Sequence, residues 1–546
     1  MAGVVGFQLR ALTRNPNPVF MRELRAAARL PRTPFILSVV AGMMALLLCS
    51  VGGIAAISAE PARVGSWLYQ TFFSLTFALV TWMGPSVAAS TIAAERSGRT
   101  WEALELTGLG PASIARGKFL AAFTYVALYL VMLAPVGAVP FLFGGITALE
   151  VLSAFALLTL FTAFSVAFGL AMSSKFQSPS LAILVTLLVT VPVSIAAYLG
   201  LGVALSFAAG NLWPSINPGT PVWLPSAYVR ADLNVDYLVL LVLGPLAFFG
   251  LATWLFYEVT IANMAAPSDD RSTRLRIWTL VAGPSFTMVL AAGAASLGTT
   301  PSFLVAQGLL FIFYLTLAFL ILGEPLGPSR RVEVHFERQR ASALRRFFGP
   351  GVVQASSCLL LLGVFSFSVL TFAGVLGASG RDESNALVGV GGYCLCFLTF
   401  VFGFAAFTRA GSRTSGVPRV LLLGALFLAF VGPWIAMAIA GIFEENGQTA
   451  LLMAAPSPIF AGRMAEVALS ADPLAGVTLS AGALSAAAWA LIGLGLYAVA
   501  AARVRRRRAE EQRLRSRLET PPREADTAPP AAGVPAPDSV SPGAAS

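Results

Sequence analysis

The stretch WLYQTFFSLTFALVTWMGPSVAASTIA, from Trp67 to Ala93, contains no charged side chain. At 1.5 Å per helical residue it is long enough to cross a hydrocarbon core about 30 Å thick, and lipid offers no partner to backbone groups left outside a helix. It therefore reads as a transmembrane helix. Working outward, similar runs are expected near Phe35 to Ser58, Phe119 to Pro140, Val151 to Met172, Ser180 to Leu205 and Tyr237 to Asn263. A second set follows near Ile277 to Leu297, Ser302 to Leu322, Val352 to Leu376, Ala386 to Phe407, Leu421 to Ile442 and Ala475 to Ala502. The predicted fold class is all-α: a polytopic integral membrane protein of about twelve transmembrane helices with both termini cytoplasmic.

Composition agrees with this reading. Only 11% of the 546 residues are charged, against roughly a quarter in a soluble protein. Orientation follows from the basic residues, because positively charged loops stay on the cytoplasmic side. All but Arg63, Arg230, Arg381 and Arg463 of the 36 Lys and Arg residues fall at the termini or in the even-numbered loops. The expected organisation is a cytosolic N-terminus over 1–33, a six-span unit over 34–263, a divergent second six-span unit over 264–503 and a cytosolic tail over 504–546. The run Arg503, Arg505, Arg506, Arg507 and Arg508 abuts a span and has no interleaved aromatics. It suits anionic membrane lipids, not nucleic acid. Beyond Leu518 the tail is rich in Pro, Ala and Ser and is expected to be disordered.

Several chemistries find no support. Cys49, Cys358, Cys394 and Cys396 lie inside apolar runs without metal-site spacing, and His335 is the only histidine. They predict neither a metal centre nor an imidazole base. Gly377-Ala378-Ser379-Gly380 superficially suggests a serine nucleophile, but His335 is expected across the membrane from it.

Two polar segments carry more information. In Asn17 to Leu30, Arg22, Arg25 and Arg29 share one helical face and Phe20, Leu24 and Ala27 another, the pattern of a helix lying in the membrane interface. A basic leader that only sets topology explains the same spacing. After the second span comes AERSGRTWEALELTGLGP, Ala94 to Pro111. Thr100 can cap a short helix exposing Glu102 and Glu105, with Trp101 and Leu104 as an apolar pair, and Gly108 and Pro111 can separate it from the next helix. Acids beside a large aromatic suit docking on a partner, although spacing alone also permits a solvated connector.

The Asn-Pro-x-x-x-Arg-Glu-Leu opening at Asn17, the stretch from Ala89 to Arg99, Thr100-x-Glu102-x-Leu104 and Gly117-Lys118 together resemble permease subunits of ATP-binding-cassette type 2 transporters. The likeness covers roughly residues 17 to 263. It implies a connecting helix containing Arg22, Glu23 and Arg25, and a coupling helix for an ATPase formed by Glu95, Arg96, Gly98, Thr100, Trp101, Glu102, Leu104 and Glu105. It also implies a separate ATPase subunit acting as a dimer, a second permease copy where one chain does not complete the pathway, and an exporter in a bacterial cytoplasmic membrane. The loop from Glu324 to Gly349 sits where a second coupling helix would belong, but its sequence does not align with Glu95 to Lys118. Leu224-Pro225-Ser226 and Ala455-Pro456-Ser457 are a faint echo between the halves.

No Gly-x-x-x-x-Gly-Lys-Ser/Thr run occurs; at Gly117-Lys118-Phe119 the first glycine is replaced by Ala112 and the hydroxyl residue by Phe119. The chain is expected to bind no cofactor and to act not as an enzyme but as a transport subunit, with ATP used by the partner. The alternative is a twelve-span secondary transporter driven by an ion gradient. Such carriers keep ionisable groups at membrane depth. Glu258 is the candidate inside a span, close to the cytosolic end, where a residue such as Arg271 could satisfy it.

Overall fold

The computed structural model describes residues 17–29, 32–55, 57, 60–198, 202, 204–213, 216, 224–266, 268–412, 414, 416–443, 448–470 and 475–519. Most of the expected N-terminal segment and the tail from 520 onward lie outside these residues.

Every regular element among the described residues is helical. The first half runs α1 (Pro18–Ala28), α2 (Arg32–Ala55), α3 (Pro61–Ser97), α4 (Trp101–Leu106), α5 (Pro111–Ala138), α6 (Ala148–Ser173), α7 (Pro179–Ala197), α8 (Ala204–Leu212), α9 (Leu224–Arg230) and α10 (Tyr237–Met264). The second half runs α11 (Thr273–Leu297), α12 (Thr300–Ile321), α13 (Arg330–Arg338), α14 (Ala343–Phe347), α15 (Val352–Gly377), α16 (Arg381–Gly411), α17 (Gly416–Phe443), α18 (Gln448–Met453), α19 (Phe460–Leu469) and α20 (Ala475–Glu519).

Among the described residues eleven helices are long and apolar enough to cross a membrane: α2, α3, α5, α6, α10, α11, α12, α15, α16, α17 and α20. Of the expected fifth span, Ser180 to Leu205, the described residues form α7 over Pro179–Ala197, with an apolar stretch over Pro179–Ile195, and 199–201 and 203 lie outside the described residues. The last helix, α20, continues past the expected Ala502 through all five arginines to Glu519.

Several hydroxyls inside these helices are satisfied by the helix's own backbone, as lipid favours. The hydroxyls of Thr76, Thr81 and Thr162 donate to the carbonyls of Phe72, Phe77 and Leu158, four residues back, at 2.8, 2.9 and 2.7 Å. Between α16 and α20 the backbones themselves meet. A Cβ added at Gly403 would stand 2.1 Å from the Gly493 carbonyl oxygen, so this crossing requires glycine, as close helix approaches in membranes often do.

The two halves repeat one another in helix order and packing. In the first, α2 packs on α3 and α5, α3 on α5 and α6, and α6 on α5 and α10. In the second, α11 packs on α12 and α15, α12 on α15 and α16, and α16 on α15 and α20. The short helices also correspond, α9 lying on α6 and α19 on α16. Ser97 and Arg338, and Pro111 and Val352, are boundary pairs each 241 positions apart. There are two departures. The counterpart of the continuous α3 is split into α12 and α13 by a segment containing Pro325 and Pro328, where the missing N–H groups end a helix. And α7 lies along α3, whereas α17 packs on α16 and α18 with much of its surface outward.

Candidate functional site

At one end of the bundle α1 lies against the start of α5. Asn17 caps α1, its Oδ1 accepting from the Val19 N–H at 2.9 Å, while its Nδ2 donates to the Ser113 carbonyl at 2.7 Å. Val19 is buried over Gly117, where an added Cβ would stand 2.7 Å from the Val19 Cβ. Glycine is what lets the two helices approach. The buried face of α1 is thus led by Val19, with Glu23 one turn on, while Phe20, Leu24 and Ala27 are half-buried.

Glu23 enters a cluster of four charges. Lys118 on α5 is only 1% exposed, and its Nζ lies 3.2 Å from Glu23 Oε1, 3.0 Å from Glu95 Oε2 and 3.3 Å from the Thr91 carbonyl. Arg22 pairs with Glu23 at 2.6 Å and also with Glu95. The side chains come from α1, α3 and α5, so the cluster joins three helices by opposite charges instead of by apolar packing alone.

Burial works to raise the Glu23 carboxyl, but Lys118 and Arg22 together hold it below its ordinary 4.5. A carboxylate depressed in the folded state contributes stability that is present above its unfolded pKa and lost as pH falls through the folded value. Acidification below about pH 4 is therefore expected to loosen α1. A spin-label pair at Arg25 and Arg116, both exposed, should report a longer distance there; Glu23→Gln should show it already at neutral pH. A distance unchanged by Glu23→Gln would deny Glu23 this role.

The chain leaves α3 through a tight turn. Arg99 adopts a left-handed φ of 54°, the Thr100 N–H donates to the Glu95 carbonyl at 3.0 Å, and α4 follows. The Thr100 hydroxyl also donates to the Glu95 carbonyl, at 3.3 Å. Arg96 points back into the bundle, donating to the carbonyls of Ser174 at 2.6 Å and Asn263 at 3.5 Å, while its guanidinium lies 5.3 Å from the centre of the Trp101 ring. Beyond α4, Gly108 takes a φ of 74° and Pro111 opens α5.

These contacts divide the residues singled out from the sequence. Glu95 and Arg96 are internal braces. Leu104 is 7% exposed and Trp101 is half-buried, both packed on a core that includes Val19, Ile92 and Ile114. The apolar pair faces inward. Gly98, Thr100 and Glu102 are exposed, as are Arg22 and Arg25 on α1; Glu105 lies on α4 with its side chain outside the described residues. Two residues were missed. Lys118 was read only as part of a Gly-Lys pair, and its centrality depends on partners 95 and 23 positions away in sequence. Leu106 stands 87% exposed at the end of α4. Its signal was its position two residues after Leu104, on the opposite side of a helix that buries Leu104.

No family model, curated protein or solved structure matches the chain.

The same end of the second half has its own buried charge pair. Arg276 on α11 lies 3.4 Å from Glu324 and donates to the carbonyls of Phe347 at 2.9 Å, Gly351 at 2.8 Å and Gly349. Burial pushes Glu324 upward, opposed by Arg276 and by the Ser272 hydroxyl donating at 2.6 Å. Glu258 pairs with Arg274 at 3.7 Å, whereas Arg271 donates to the carbonyls of Ala265 and Ala266. Within the membrane-crossing region, a cleft of about 540 Å³ lies between α3 and the end of α7, lined by Trp67, Gln70, Thr71, Ser74, Leu75 and Tyr198. An adjoining cleft of about 350 Å³ adds Phe77, Thr81, Trp82 and Ser194. The residues lining both clefts carry aromatic rings, hydroxyl groups and an amide, and no charge.

Proposed function

We propose that this chain is the membrane-spanning subunit of an ATP-driven transporter of the ATP-binding-cassette type 2 class, working as an exporter. In this reading α7 is a twelfth crossing, both termini are cytoplasmic, and the end bearing α1 and α4 faces the cell interior of a bacterium. A separate ATPase subunit, a dimer, hydrolyses ATP and delivers force through α4. The supporting observation is that α4 is a short helix held by a fixed frame. Its inward face, Trp101 and Leu104, is packed against α1, α3 and α5, and its outward face presents Glu102 and Leu106. A helix so held transmits displacement to the bundle instead of absorbing it. The α3–α7 clefts are the place where a neutral substrate would meet moving helices.

The asymmetry of the basic residues supports the orientation. The reading favours mechanical coupling over an ion gradient because the buried polar groups midway along the described spans are neutral, such as Gln307, which donates to Thr371 at 2.9 Å and to the Leu387 carbonyl at 3.1 Å.

Purification in mild detergent should bring along a protein with a nucleotide-binding motif, and Leu106→Cys should react with an impermeant maleimide only from the cytoplasmic side. Transport by the chain alone in liposomes, tracking an imposed proton or sodium gradient, would establish the secondary carrier instead.

A further inference from the structure

Among the described residues, two that are not glycine adopt a left-handed φ, Arg99 at 54° and Arg340 at 45°. They stand 241 positions apart, the same offset as the helix boundaries. A side chain disfavours this conformation, so its recurrence in register marks a shared backbone plan. In the first half the Thr100 N–H closes onto the Glu95 carbonyl at 3.0 Å; in the second the Ala341 N–H closes onto the Phe336 carbonyl at 2.9 Å. A short helix follows each turn, α4 and α14. Gly108 and Gly110 then lead into α5, as Gly349 and Gly351 lead into α15. The segment Phe336 to Val352 therefore aligns with Glu95 to Pro111 without a gap, although Arg and two glycines are the only identities and the glycine torsions differ, φ being positive at Gly108 and Gly351 but not at their counterparts Gly349 and Gly110.

The surfaces carried on this common frame differ in charge. On α4, Glu102 and Leu106 are exposed. On α14, Leu344 is 69% exposed and is flanked by exposed Arg345 and Arg346, with Arg338, Arg340 and Glu337 exposed before it. A buried cation stands near each: Arg276 donates to the Phe347 carbonyl at the end of α14, and Lys118 pairs with Glu95, whose carbonyl closes the turn before α4. Equivalent placement argues for the same kind of partner at both. A bilayer surface would attract the basic helix and repel the acidic one, so it does not account for the shared plan.

We propose that residues 336–351 form a second docking element, for an ATP-binding subunit whose receiving groove is rich in Asp and Glu and which is not identical to the subunit received by α4. This rests on the coupling reading of α4 given above. One chain would then seat two unlike ATPase subunits, with charge deciding which subunit goes where.

The test uses the full chain in its native membrane, with a photoreactive benzoylphenylalanine placed at Leu106 or at Leu344 and the adducts sequenced. Two different proteins with nucleotide-binding motifs are expected. Arg345→Glu with Arg346→Glu should lower the adduct at 344 at least tenfold and leave the adduct at 106 unchanged, which also shows that the variant folds; Arg345→Lys with Arg346→Lys should retain it. The same subunit at both positions, a lipid adduct or no adduct at 344, or a 344 adduct indifferent to charge reversal would overturn this proposal and leave the reading of α4 standing. Failure at 106 would remove both.

Discussion

Lys118→Met is expected to destabilise the protein by about 3–5 kcal/mol, the range seen when one member of a buried ion pair is removed. Methionine nearly keeps the volume and deletes the ammonium. Two carboxylates, Glu23 and the 12%-exposed side chain of Glu95, would then share a single half-exposed partner, Arg22. The damage comes from charge left buried, so it should be reversible by removing that charge. Lys118→Met combined with Glu95→Leu and Glu23→Leu should regain more than half of the loss, because apolar replacement of a whole buried cluster is often near neutral. Thermal unfolding in detergent and the distance from α1 to α5 would report both effects. A Lys118→Met protein that melts with the parent would mean that α1 is held by Val19 and Asn17 instead.

The second large effect is on association, with stability spared. Leu106→Asp together with Glu102→Arg should weaken ATPase binding by roughly 30-fold or more, equivalent to about 2 kcal/mol at a central anchor. Both side chains point away from the bundle, so melting should stay within experimental scatter of the parent. Leu104→Ala makes the contrast. It is expected to destabilise by about 2–5 kcal/mol through the cavity left beneath α4 and to loosen the ATPase only as the frame softens. Full retention of the ATPase by the Leu106→Asp, Glu102→Arg double variant would remove α4 as its seat.

The membrane-crossing helices were legible because lipid imposes one rule on every segment: a run such as Trp67 to Ala93 has no alternative to being a helix. At the site, helix spacing gave the turn at Gly108 and the start at Pro111. It left open which way Trp101 and Leu104 face, since six residues have no face that is inward or outward until a neighbour is known. Lys118 was hidden for the same reason: nothing local reveals that Glu23 and Glu95 converge on it. The match between Phe336 to Val352 and Glu95 to Pro111 rests on backbone torsion and glycine placement, which a comparison of side chains discards.

The split between α12 and α13 makes the molecule mechanically lopsided. In the coupling reading proposed above, a stroke received at α4 would travel along α3, whose 37 residues remain helical even through Pro85 and span roughly 55 Å, so one half would act as a piston that reaches the lining of the clefts. An equal stroke at α14 would meet a joint at Pro325 and Pro328 and be spent in bending. Two ATPase strokes of the same size would therefore produce unequal work, with the first half driving the cycle and the second yielding to it.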